Sequence, residues 1–231
     1  MRYSKPFDIV AVIRTDFPEK FGIPRQSGIV KNLRGKIVFE PQYRDPTAIR
    51  GLEDFTHLWL LWKFSENSDR KWSPTVRPPR LGGNKRMGVF ATRSPFRPNP
   101  IGLSCVKIVK ITENSPEGPI IEVSGADMLD GTPIYDIKPY IPYTDSHPDA
   151  KGGFADKVYG DLLKVEIPEE LTKEIPEDTL QSLKEILASD PRPAYKEDGD
   201  RIYGFDFSHY SIKFTVNGGV LKVTEIAKKS L

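Results

Sequence analysis

The sequence predicts a mainly β protein: an all-β barrel or sandwich over residues 1–160, joined to a small α+β unit over residues 161–231. Three observations predict it. Short apolar or alternating runs follow one another through the first part, as half-buried strands do. Prolines and glycines, 21 and 18 in all, punctuate those runs and leave few windows with helical periodicity. Beyond residue 160 the pattern changes to one amphipathic helix and one alternating hairpin.

In chain order, DIVAVIR (8–14) is a short apolar strand, and GKIVFE (35–40) is a second behind the turn signal of Gly35. HLWLLWKF (57–64) is bulky, nearly continuous and too short for a helix, which suits a strand buried on both faces. Within it Trp59 and Trp62 are three apart and fall on opposite faces, so at least one belongs to the core; His57 reads as a half-buried, satisfied histidine. GLSCVKIVKITE (102–113) alternates, with Cys105 as a small buried hydrophobe. NSPEG (114–118) then turns the chain into PIIEVSGAD (119–127), forming a hairpin. TPIYDIKPYIP (132–142) is extended, and Pro139 and Pro142 place it at a sheet edge or strand end. PEDTLQSLKEILASDP (176–191) is the clearest helix: Asp178 as cap, Gln181 in the reciprocal position, Leu180, Leu183 and Leu187 on one face, Pro191 as stop. HYSIKFTVNGGVLKV (209–223) is a hairpin turning at Asn217-Gly218-Gly219.

Composition narrows the function classes. Hydrophobic residues make up 38% and charged residues 29% of the 231, the balance of a folded, soluble chain. No apolar run approaches the roughly 18–20 residues that span a bilayer, and the N-terminus lacks a signal-peptide pattern, so a cytoplasmic location without membrane contact is expected. A single cysteine excludes an internal disulfide and a cysteine-rich zinc site, and the three histidines are widely spaced, so no metal is expected. The net charge of +2 is small but uneven: from Arg70 to Thr112 there is no Asp or Glu against ten Lys or Arg. A field of one sign on a near-neutral chain points to an anionic partner; the plain alternative is a solvated basic surface.

Four stretches carry more polar and special-backbone residues than packing requires: IPRQSG (23–28), TVRPPRLGGNKRMGVFATRSPFRPNPIG (75–102), DMLDGTPIYDIKPY (127–140) and DPRPAY (190–195). In the second, prolines bias Arg77, Ser94, Arg97 and Asn99 toward extended backbone. A loop already stiff can hold planar guanidinium groups in place with little ordering cost, and those forks suit carboxylates, phosphates and base planes. In the third, Asp130-Gly131 reads as a turn apex whose glycine exposes backbone groups, and Asp127, Asp130 and Asp136 include possible acid/base groups. Signatures of Rossmann dinucleotide sites, P-loops, zinc proteases and α/β-hydrolases are absent.

Taken in order, VRPPRLGGNKRMGVFATRSPFRPNPIGLS, DGTPIYDIKPY and DPRPAY, with VIR (12–14) and PRQ (24–26) ahead of them, resemble the TrmO/TsaA-like family over nearly the whole chain. The resemblance implies a β-barrel methyltransferase fold, unrelated to the Rossmann type, working as a homodimer. It implies S-adenosylmethionine as cofactor and tRNA as partner, with the methyl group going to N6 of the threonylcarbamoyl-adenosine beside the anticodon. Carried over by position, it implies cofactor contacts at Pro24, Arg25 and Gln26, at Ser65 and Glu66, and at Arg93 and Leu103. Further contacts are implied along Met128, Leu129, Asp130 and Gly131. The acid-free window would then hold the anticodon loop, with Arg77, Arg80, Arg97, Asn99, Arg192 and Tyr195 as RNA contacts. Asp130 or Asp136 is expected to take the proton from N6. Two rival readings are a non-enzymatic RNA-binding module and a methyltransferase acting on another RNA or a small molecule.

Overall fold

The computed structural model describes residues 6–67, 71–78, 81, 85–156, 162–192, 199 and 201–229. Six antiparallel strands close into a barrel: β1 (Ala11–Thr15), β2 (Arg34–Phe39), β3 (His57–Lys63), β6 (Ile101–Thr112), β7 (Ile120–Ser124) and β8 (Thr132–Pro139), in the spatial order β1-β2-β7-β6-β3-β8. The short strands β4 (Thr75–Val76) and β5 (Met87–Gly88) pair outside it. Closure satisfies every strand on both sides, so β8, pairing with both β1 and β3, is no edge; Pro139 stands at its end. Inward positions fill the barrel with one apolar cluster that includes Ile13, Ile37, Leu58, Leu60, Ile121 and Ile134.

β3 departs from expectation. Its exposure alternates: Leu58, Leu60 and Trp62 are buried, while His57, Trp59, Leu61 and Lys63 are half-exposed. A barrel wall has one dry face, and the outer face here is only partly covered by the segment after β8. There Trp59 Nε1 donates to Asp145 Oδ2 at 2.9 Å, from the one-turn helix α1 (Pro142–Asp145). Trp62 is the tryptophan that belongs to the core. Cys105 corrects another expectation, because it lies on the outward face of β6, half-exposed, and partial burial pushes its thiol up.

The second unit is a four-stranded sheet, β10-β11-β12-β9, packed with one helix. Its strands are β9 (Lys164–Glu166), β10 (Tyr203–Phe207), β11 (Tyr210–Asn217) and β12 (Val220–Lys228). Gly218 and Gly219 form the two-residue turn between the last two strands, with φ of 55° and 80° that suit glycine. Helix α2 (Glu177–Ala188) buries Leu180, Leu183, Ile186 and Leu187 against the sheet. Its capping differs from the expectation. The chain enters through Pro176, so Asp178 lies in the first turn, where its charge suits the helix dipole, and its carbonyl accepts from Ser182 Oγ. Gln181 bonds forward to Glu185 instead of back to a cap. Phe17, Val30 and Leu33, from the barrel part of the chain, complete this second apolar cluster.

Candidate active site

β3 leaves the barrel at the same end where β6 enters it, and Trp62 and Gly102 stand opposite each other in the register. Only glycine fits there: a Cβ on residue 102 would stand 2.2 Å from the Trp62 indole. This close approach brings Trp62 Nε1 to within 2.9 Å of Ser104 Oγ, to which it donates. Ser104 is wholly buried, and its own hydroxyl donates to Asp127 Oδ1 at 2.6 Å. Asp127 follows β7 just beyond the left-handed turn at Gly125 (φ 82°), and it also accepts from the backbone N–H of Ser27. Burial pushes its carboxyl up to about 6, while those hydrogen bonds and the charge of Arg93 pull the other way.

A cavity of about 760 Å³ opens above this chain of hydrogen bonds. The proline-rich loop forms one wall, where Arg93 donates to Gln26 Oε1. Arg25 reaches across to the second unit and donates to the carbonyl of Arg192 at 2.8 Å. Arg192 is itself held by two bonds to Asp190, at 2.8 and 2.9 Å. Arg97 turns inward on its own loop and bonds the carbonyls of Thr92 and Ser94 at 3.0 and 3.4 Å. The half-exposed Phe64 and the 51% exposed Leu103 supply apolar surface. Guanidinium forks on one side, the half-buried carboxylate of Asp127 at the base and apolar surface between them suit an elongated ligand bearing both charges and a flat ring.

The structure brings most of the expected cofactor residues to this cavity. Pro24, Arg25 and Gln26 line one part of it, as do Ser65 and Glu66 at the rim, where Glu66 pairs with Lys20 at 3.5 Å. Arg93, Leu103, Met128 and Leu129 line the rest. Asp130 and Gly131 do not. Their backbone N–H groups bond Phe17 and Ile13, and the Asp130 carboxylate accepts from Thr15 N and pairs with Arg14, so this turn closes the end of β1. Asp136 is also elsewhere, in β8 opposite Leu61 and paired with Lys138 at 2.8 Å. Of the expected RNA contacts, Arg97, Asn99 and Arg192 border the cavity and Arg77 is exposed outside it; Arg80 and Tyr195 lie outside the described residues. The residue that sequence reasoning passed over is Ser104, and Asp127, named there beside Asp130 and Asp136 as a possible acid/base group, is the one of the three that reaches the cavity. The signal for Ser104 was a hydroxyl at an inward position of an otherwise apolar strand, which demands a buried polar partner.

Comparison with known proteins gives a consistent picture. The family model for the tRNA-methyltransferase O N-terminal domain matches residues 12–146, and that for the TrmO C-terminal domain matches residues 161–229. A tRNA (adenine(37)-N6)-methyltransferase of Escherichia coli is 41% identical over 229 residues, covering 95% of this chain and 97% of that one. A Pyrococcus abyssi protein described as a probable S-adenosyl-L-methionine-binding protein is 33% identical over 148 residues, or 64% of this chain and 74% of that one. The crystal structure of TrmO from Pseudomonas aeruginosa superposes with a TM-score of 0.75 at 31% identity, covering 97% of this chain and 99% of that one. With both family models matched in order and a relative that similar over nearly its full length, this chain belongs to the TrmO family.

Proposed function

We propose that this chain transfers the methyl group of S-adenosylmethionine to N6 of the threonylcarbamoyl-modified adenosine at position 37 of tRNA, the position named for its Escherichia coli relative. The observation that carries this reading is the cavity at the barrel end, which combines Arg25, Gln26, Arg93, Leu103 and the half-buried carboxylate of Asp127 at its base. The cofactor supplies a methyl group on a positively charged sulfur, and the residues present fit it. Arg93 and Arg25 match its carboxylate, and Leu103 and Phe64 its adenine. The chain contributes mostly positioning, with the two units holding the cavity walls at a fixed separation.

Support for the RNA partner comes from charge. Arg97, Asn99 and Arg192 border the cavity. Beyond it, the strand register sets Arg34, Ser124, Lys107 and His57 in one row across the outer wall. Such a row suits a phosphate backbone leading to a base inserted in the cavity. The reading includes a homodimer in the cytoplasm, for whose contact the exposed apolar side chain of Phe90 is available.

The test is methyl transfer from labelled S-adenosylmethionine to tRNA with and without the threonylcarbamoyl group, followed by mass analysis of the nucleosides. Label on N6 in the modified tRNA alone is the expected result. Cofactor binding without transfer to either tRNA would favour another methyl acceptor, and absence of cofactor binding would favour a plain RNA-binding module.

A further inference from the structure

Two carboxylates line the cavity among the described residues, and their surroundings differ. Glu66 stands at the rim with its side chain 57% exposed and paired with Lys20. Asp127 stands at the base, open to the cavity on one side and otherwise enclosed by Ser104, Ser27 and the barrel end. Asn in its place would accept the Ser104 hydroxyl equally well without the cost of a buried charge. A carboxylate kept at the base of a ligand-sized cavity therefore asks for a use.

Resting on the proposed methyl transfer, we propose that Asp127 is the proton acceptor of the reaction, held in place by the Trp62–Ser104–Asp127 hydrogen-bond chain. N6 of the modified adenine lies between the purine ring and a carbonyl, which makes its proton more acidic than that of plain adenosine, so a carboxylate is a sufficient base. N6 forms the new bond to the methyl carbon as the carbon–sulfur bond breaks, its electron pair going to sulfur. The N6 proton passes to Asp127, whose carboxylate becomes a neutral acid while the sulfonium becomes a neutral thioether, so charge balances. Asp127 then returns the proton to water. An acceptor that holds its proton more tightly than an ordinary aspartate, yet is ionised at neutral pH, suits this step. Arg93 is the charged group acting on Asp127, and it favours the ionised form. Ser104, wholly buried and donating at 2.6 Å, is a positioning residue that does the same through its hydroxyl.

The experiment compares wild type, Asp127→Asn and Ser104→Ala in single-turnover transfer to modified tRNA from pH 5 to 9. It is accompanied by calorimetric binding of S-adenosylmethionine and carbon NMR of aspartate carboxyls in the free protein. Wild type is expected to slow below about pH 6. Asp127→Asn is expected to slow transfer ~100- to 1,000-fold, as for loss of a general base, with cofactor affinity unchanged within about twofold and the acid limb gone. Ser104→Ala keeps the limb but moves it to higher pH, because the ionised carboxylate loses a donor. NMR of the free wild type should show a carboxyl titrating well above the ordinary aspartate range, missing in Asp127→Asn. The assignment is overturned by an Asp127→Asn protein as fast as wild type. It is also overturned by one whose cofactor affinity falls as far as its rate while the limb persists, or by a free-protein carboxyl titrating near 4. If Asp127→Asn does not fold, Ser104→Ala decides, and an unmoved limb overturns it. Wild type that transfers nothing sinks the proposed function and this assignment together; active wild type with an unaffected Asp127→Asn sinks the assignment alone.

Discussion

Asp127 makes stability depend on pH, whatever its part in the reaction. Burial pushes its carboxyl up to about 6 in the folded protein, above the ~3.9 usual for an aspartate. Between those values the folded chain holds a proton that the unfolded chain has released, so stability falls as pH rises through the window. Below about pH 4 both states are protonated and the full contribution is present; above about pH 6 both are ionised and it is lost. A shift of this size corresponds to roughly 3 kcal/mol at most. Asp127→Asn removes the dependence while keeping an acceptor for Ser104. We expect the stability of wild type relative to this variant to drop by about 2–3 kcal/mol from pH 4 to pH 7.5 in urea denaturation. A constant difference across that range would mean that water reaches the carboxyl freely.

At the scale of one element, β6 assembles the base of the site through three consecutive residues. Gly102 admits the Trp62 indole, Leu103 points outward to the cavity wall, and Ser104 points inward to carry the hydrogen bond from Trp62 to Asp127. Gly102→Ala forces the indole to move and breaks its bond to Ser104. An overpacked core site of this kind costs about 1–3 kcal/mol, which thermal unfolding will register, and the pH limb of transfer should move with the displaced Ser104. Unchanged melting would show that the indole has room to retreat. This strand also shows what the sequence reveals and what it withholds. Its alternation, the NSPEG turn into β7 and the Gly218-Gly219 hairpin were legible, because each depends on residues adjacent in the chain. The short strands β9 and β10 were not: β9 pairs in parallel with the distant β12, and the three to five residues of each carry little periodicity, even in β10, which turns directly into β11. The same limit governed the site. The stretches that gather at the cavity stood out by composition. Choosing Asp127 over Asp130 and Asp136 needed the register of β6 against β3 and the course of the chain after β7, neither of which is a local property. Asp130 drew attention because of Gly131, but the left-handed turn at that glycine (φ 75°) serves to return the chain beside β1.

At the scale of the whole molecule, the second unit is part of the site and of the barrel's own support. Phe17, Val30 and Leu33 leave the barrel part of the chain and are buried at 1–3% exposure in the apolar cluster built by α2 and β10–β12. Ser208 N donates to the Asp16 carbonyl at 2.7 Å, and Glu185 accepts from Lys31 N and the Asn32 side chain. The same junction reaches the cavity, because Arg25 is anchored on the Arg192 carbonyl. A fragment ending at residue 160 would expose all three apolar side chains, at about 1.5–3 kcal/mol each, a total comparable to the stability of an ordinary domain. Such a fragment should therefore melt well below the intact chain or aggregate. Replacing Phe17, Val30 and Leu33 with polar residues should recover its solubility but not its affinity for S-adenosylmethionine, since Arg25 has lost its bond to the Arg192 carbonyl. Calorimetry on that repaired fragment separates the two roles. Affinity equal to that of the full chain would reduce the second unit to a cover for the barrel, whereas affinity lowered tenfold or more would make Arg192, some 167 residues along the chain from Arg25, part of how the cofactor is held.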